Sequence, residues 1–186
     1  LSEVITLGGT AIDATAGNGY DSLFLARLVG PQGKVYAIDI QATALEKTSR
    51  LLHNEGVRER VVLVQDSHEN LGEIVNEQVD GVIFNLGYLP GGDHNLVTTG
   101  ETTVRALNAA LERLKPGGRV ALVVYIGHPG GQEECEALEE FISSLDTTLY
   151  QAVRLSFYNR SAKAPIVIVI EKAGVDDEKQ PATKDN

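Results

Sequence analysis

The parts of this sequence that could do chemistry are a two-glycine loop and four polar residues that each close an apolar run. The loop is Asp13-Ala14-Thr15-Ala16-Gly17-Asn18-Gly19, and the four residues are Asp13, Asp39, Asp66 and Asn85. Glycines let a backbone come close to a ligand, and a helix that opens after such a loop offers free N–H groups. Carboxylates in the same place accept hydrogen bonds from hydroxyls and ammonium groups. Gly17-x-Gly19-x-x-Ser22 half matches the dinucleotide fingerprint, and Asp39 lies 20 residues beyond Gly19, where that fingerprint wants a ribose-binding acid. Two details point away from a dinucleotide: the third glycine is missing, and Asp13 would repel a pyrophosphate while holding an ammonium, directly or through water. A ligand with an amine, a ribose and a purine but no phosphate fits, and S-adenosylmethionine is such a ligand. On this reading Asp39 and Gln41 take the ribose hydroxyls, Asp66 and Ser67 face the adenine amino group, and Asn18 and Asp13 face the methionine end. Ala16, Gly17, Gly19, His68 and Asn85 complete the candidate cofactor set. Its sulfonium is cationic, which suits an acidic pocket. The plainer alternatives are a glycine turn in some other α/β protein and acids that only cap helices.

The acceptor side of the reaction is expected after the fourth strand. Asn85-Leu86-Gly87-Tyr88 resembles the Asn/Asp-Pro-Pro-Tyr element of amino-directed class I methyltransferases, with Leu86 and Gly87 in place of the two prolines. There, an amide oxygen accepts a hydrogen from the target amine and the aromatic ring stacks on the substrate. Asn85, Tyr88, Asp93 and His94 are the candidate catalytic residues. A Gly-Pro loop with a packed tyrosine is the bland alternative. His68, His94 and His128 each follow a strand, so zinc is another; no His or Cys spacing supports it, and no metal is expected.

Strands alternating with helices must position these residues. Apolar runs and their stops predict strands over 10–14, 34–39, 60–66, 79–85 and 119–126, and helices over 20–28, 43–54, 70–75, 99–114 and 132–144. Runs at 148–157 and 165–171 have no helix between them and should pair as a hairpin. The fold expected is a Rossmann-like α/β class I methyltransferase: a mostly parallel seven-stranded sheet, a C-terminal antiparallel hairpin, and helices on both faces. Residues 1–172 read as one such domain, and 173–186 as a polar, disordered tail.

Composition narrows the classes. The chain has 186 residues and a net charge of −10, which argues against broad nonspecific nucleic-acid binding but leaves room for a local basic patch. Arg154, Arg160 and Lys163, on or beside the hairpin, are the candidate patch. The single cysteine, Cys135, sits among acids and reads as structural or surface, with no intrachain disulfide open to it. No apolar run approaches the length of a membrane span, and no signal peptide is visible, so a cytoplasmic protein is expected. The first residue is Leu1, so a preceding segment that contributes to the substrate site is expected. A homodimer is left open.

Longer motifs carry a more specific resemblance. Residues 13–21, Ser67-His68, residues 85–93, Tyr125 to Gly131, and the closing Pro165 to Lys172 resemble a small bacterial family labelled rRNA methylase, whose members are assigned as tRNA 5-(aminomethyl)-2-thiouridine methyltransferases. The match runs from Ala11 to Lys172. It departs at Ile126, where some relatives are expected to carry histidine, and in the family's N-terminal helix, which is mostly absent. The resemblance implies an S-adenosylmethionine-dependent enzyme that methylates the side-chain amine of the wobble uridine, position 34 of tRNA, on the anticodon stem-loop. An rRNA or small-molecule methyltransferase on the same fold, and a nonenzymatic nucleotide-binding module, are the rival expectations.

Overall fold

A computed structural model describes residues 1–87, 98–161 and 164–174. The described residues form a seven-stranded sheet flanked by helices. In chain order they run β1 (Thr10–Asp13), α1 (Tyr20–Val29), β2 (Lys34–Asp39), α2 (Ala42–Asn54), β3 (Val61–Gln65), α3 (Leu71–Ile74), β4 (Val79–Leu86), α4 (Gly100–Arg113), β5 (Leu114–Val124), α5 (Gly131–Ser143), β6 (Tyr150–Leu155) and β7 (Ile166–Lys172). The sheet order is β3-β2-β1-β4-β5-β7-β6. β1 to β5 are mutually parallel, and β7 runs antiparallel to both β5 and β6. This is the expected Rossmann-like α/β methyltransferase sheet.

Burial on both faces explains the apolar central strands. All four residues of β1 are buried, as are seven of the eight in β4, with Asn85 the exception. One core, on one side of the sheet, centres on Phe84, Leu107, Leu111, Leu122 and Leu138; the other centres on Leu25, Val29, Val35 and Leu52 under α1 and α2. Helices on both faces of the central strands therefore leave the ends of β1 and β4 as their route to solvent, while the edge strand β6 is exposed along most of its length. The chain turns outward in opposite directions from β1 and β4, so the crevice at their carboxyl ends is the switch point where such sheets bind ligands.

One segment differs from expectation. Lys115-Pro116-Gly117-Gly118 reads as a helix stop, yet it lies within β5. Val79 pairs with Leu114 and Gly81 with Arg119, so these four residues swell out of the ladder opposite Asp80. Asp80 is nearly buried and gathers the bulge: its carboxylate accepts from Lys115 Nζ at 2.7 Å and from the Thr10 amide at 3.0 Å. Gly117, at φ 77°, supplies the left-handed turn that the bulge needs.

Candidate functional site

The glycine loop is built by its own carboxylates. Asp13 is fully buried; its Oδ2 accepts from Ser22 Oγ at 2.6 Å, and its Oδ1 from the Thr15 amide at 3.3 Å. Asp39, half-buried at the end of β2, accepts from the Gly17 amide at 2.9 Å and from the Gln41 amide at 2.8 Å. The Ala16 amide bonds the Ile38 carbonyl. The loop is thus pinned to β1, β2 and α1 at once. Gly19 has φ 86°, and a Cβ there would come within 2.8 Å of the Thr48 Cα and Oγ1. Both its conformation and its contact with α2 therefore require glycine. Asn18 lies half-buried between the two glycines.

At the end of β3, Asp66 Oδ1 accepts from the Ser67 amide at 2.7 Å and from Asn70 Nδ2 at 2.9 Å, while Ser67 Oγ caps the short turn 68–70. Asp66 Oδ2 takes no donor from the described residues. Asp39 and Asp66 can each accept further bonds, since a carboxylate offers about four lone-pair sites. Gln41 and Ser67 lie half-buried beside them. Asn85, at the end of β4, is exposed; its amide N–H donates to Thr15 Oγ1 at 2.7 Å and its Nδ2 to Asp21 Oδ2 at 3.2 Å.

Three side chains lie differently from what their sequence positions suggest. The first is Asp13, expected to face the methionine ammonium: its carboxylate is fully buried and bonds the loop's Thr15 and α1's Ser22. The second concerns His68. Its ring is turned into the core, edge-on to Phe84 with centroids 6.4 Å apart and with Nε2 3.4 Å from Thr103 Oγ1; burial holds its pKa below the ordinary histidine value. The strand-end position is right, but the next turn points the side chain inward. The third concerns Arg154, which is paired with Glu139 at 2.9 Å and is not a free cation. Tyr88, Asp93, His94 and Lys163 lie outside the described residues.

Sequence reasoning missed a buried polar chain. Glu134 of α5, 1% exposed, accepts from Thr103 Oγ1 at 2.6 Å and from Thr98 Oγ1 at 2.9 Å. Thr98 in turn accepts from the Gly87 amide at 3.0 Å. Glu134 thereby ties α4 and α5 to the residue that follows β4. An acid one turn into an amphipathic helix looks like a solvated face residue, and only the packing of α4 on α5 covers it. His128, the third histidine, lies close by: a Cβ at Gly131 would meet its ring at 3.1 Å and one at Gly87 at 3.6 Å. Cys135 is buried on α5, and burial pushes its thiol pKa up, in keeping with a structural role.

Burial also sets the ionisation of Asp13. Desolvation pushes its pKa up to about 7, aided by the nearby Asp21 and Asp39 charges and opposed by the Ser22 hydroxyl and the Thr15 amide. The unfolded value is about 3.9, so the folded state binds the extra proton between pH 4 and 7. Stability from this group is complete below about pH 4 and is lost as pH rises through about 7, at no more than about 1.4 kcal/mol per pH unit. Asp13→Asn should be the less stable protein at pH 5, and its deficit should shrink by pH 8. Thermal melts of both proteins at the two pH values test this; a constant gap would mean that Asp13 is ionised throughout.

Comparison with known proteins bears on this arrangement. The family model described as "Putative rRNA methylase" matches residues 35–171. Over 180 residues the chain is 46% identical to the "tRNA (mnm(5)s(2)U34)-methyltransferase, chloroplastic" of Arabidopsis thaliana, a match that covers 91% of this chain and 65% of that protein's length. The solved structure of the "putative rRNA-methylase" of Clostridium thermocellum superposes with a TM-score of 0.89 at 41% identity, covering 92% of each chain. A "putative methyltransferase" of Streptococcus mutans, solved in complex with SAH, superposes with a TM-score of 0.85 at 38% identity, covering 92% of this chain and 93% of that one.

Proposed function

We propose that this chain, which belongs to the rRNA methylase family, is an S-adenosylmethionine-dependent methyltransferase acting on the aminomethyl amine of the wobble uridine of tRNA. The observation that carries the reading is the pairing of two features at one switch point: the Gly17–Gly19 loop bonded to Asp39, and the exposed Asn85 bonded to that loop's Thr15. The complex of the Streptococcus mutans relative with SAH supports the cofactor, and the name of the Arabidopsis relative supports the substrate.

The residues present fit such a cofactor. Asp39 and Asp66 keep acceptor capacity for ribose hydroxyls and an adenine amino group. No Lys or Arg occurs in 13–22, 39–42, 66–70 or 85–87, so nothing there invites a phosphate. When bound, the cofactor supplies an electrophilic methyl group on a cationic sulfonium. The chain's part is then to position the acceptor and manage its protons. An alkylamine with a pKa near 10.4 is neutral in only about one molecule in 2,500 at pH 7. The ammonium must first give up a proton to solvent or to another base; a group that then accepts an N–H from the neutral amine turns its lone pair toward the methyl, and Asn85 is the candidate for that orienting role.

The hairpin adds a docking surface. β6 runs in the direction of β5, so the connection after Leu155 emerges at the same sheet edge as the site. It carries Phe157 at 55% and Tyr158 at 108% exposure, followed by exposed Arg160. Exposed aromatics beside a cation suit unpaired bases and phosphates. Arg160→Ala should weaken tRNA binding and lower the slope of log K against log salt by about one. An unaltered slope would place the phosphate contacts elsewhere. Among the described residues, no helix is long and apolar enough to cross a membrane.

The function itself is tested by mass spectrometry of nucleosides from tRNA bearing the aminomethyl group, after incubation with protein and S-adenosylmethionine. A gain of one methyl at position 34 is expected. Methylation of rRNA fragments instead, with tRNA untouched, would overturn the substrate assignment while leaving the cofactor assignment in place.

A further inference from the structure

Asn85 is held from two sides by the segment that follows β1. Its backbone N–H donates to Thr15 Oγ1 at 2.7 Å, and its side-chain Nδ2 donates to Asp21 Oδ2 at 3.2 Å. A carboxylate can only accept, so the nitrogen end of the amide must be the end that faces Asp21. The oxygen, Oδ1, is then on the opposite side, and no donor among the described residues takes it. The two flips of an amide have nearly the same shape, and only their partners distinguish them. With the backbone fixed by Thr15, Asp21 is the partner that decides.

We infer that Asp21 is a positioning residue for methyl transfer: it locks the Asn85 amide so that Oδ1, not the NH2 group, is presented to the incoming amine. The inference rests on the reading of Asn85 as the group that accepts from that amine. In the locked flip, an amine N–H meets an acceptor while the nitrogen lone pair stays free to attack. In the other flip the amine's N–H groups would meet the amide's own N–H donors, and a bond from Nδ2 to the amine would occupy the lone pair that must attack. Asp21 also has a purely structural alternative. It sits in the first turn of α1, where an acid favours the helix dipole. The test must therefore read something that helix stability does not move.

The variants are Asp21→Ala, Asp21→Asn, Asn85→Ala and the double variant Asp21→Ala/Asn85→Ala, assayed by single-turnover methylation of tRNA carrying the aminomethyl group. Asp21→Ala should slow turnover about 10-fold, with S-adenosylmethionine affinity and the tRNA KM within about twofold of the parent. Asp21→Asn, whose amide oxygen can still accept from Asn85 Nδ2, should regain most of the rate. In the Asn85→Ala background, the Asp21→Ala change should cost no more than about twofold, because the group it positions is already gone. The same 10-fold loss in that background, or an Asp21→Asn protein as slow as Asp21→Ala, would overturn the inference in favour of an independent or purely ionic role. A fully active Asp21→Ala beside a slow Asn85→Ala would overturn the inference alone. An Asn85→Ala protein that turns over at the parent rate would instead overturn the reading of Asn85, and the inference with it.

Discussion

Replacing Asn85 with alanine should cut single-turnover methylation about 100-fold while leaving S-adenosylmethionine affinity within a few fold. The expected split comes from where Asn85 sits. It is the exposed residue in a strand whose other seven members are buried, so its side chain contributes little to the core. Its backbone bond to Thr15 survives the change, because that bond uses the amide N–H common to every residue but proline. What disappears is an acceptor that engages the amine most strongly as the amine passes its lone pair to the methyl carbon and its N–H groups become more acidic. A contact made mainly in the transition state lowers turnover without raising KM. A raised KM at unchanged turnover would mean that Asn85 binds substrate uniformly. No change in either would make it a strand end only, and the acceptor would have to be sought among Asp93, His94 and His128.

The fold was legible because the signals that set it are local. β1 and β2 are apolar runs that end in an acid, and β4 is a buried run with the polar Asn85 beside its end, because helices cover both faces of these strands. The hairpin of β6 and β7 was legible for the opposite reason: with no helical stretch between two strands, a parallel crossover has nothing to build it. The 115–118 bulge was not legible. Its Pro and glycines signal a turn in any context, and only the pairing of Gly81 with Arg119 shows that the strand resumes beyond it. Within the site, sequence identified the residues at strand ends but not the directions of their side chains. Asp13 and Asp39 read alike, an acid after a hydrophobic run. One is sealed under Ser22 and the other lies at the surface of the loop, and this follows from α1 packing over β1. His68 and Glu134 show the same limit, since the packing of α4 decides that both point inward. Asp21, the last residue of the 13–21 motif, carries no signal of its role in sequence; only the fold, which sets β4 beside β1, brings Asn85 to it.

Asp39→Ala should weaken S-adenosylmethionine binding by about 1.5–3 kcal/mol, the scale for hydrogen bonds to a charged group. By the usual conversion this is roughly a 10- to 150-fold rise in Kd. Two losses combine in that figure. The carboxylate is the candidate acceptor for the ribose hydroxyls, and it also holds the amides of Gly17 and Gln41, so its removal both deletes a contact and loosens the loop that makes the others. Asp39→Asn separates them. Its single carbonyl oxygen can keep one of the two amides, but its NH2 group cannot accept, and its neutral charge weakens the bonds that remain. If the ribose contact dominates, the asparagine protein should bind nearly as poorly as the alanine protein while melting closer to the parent. If loop order dominates, asparagine should restore affinity and melting temperature together. Isothermal titration with S-adenosylmethionine, alongside thermal melts of the ligand-free proteins, measures both quantities. Parent-like affinity in both variants would remove Asp39 from the cofactor site, leaving it as the clasp between β2 and the glycine loop.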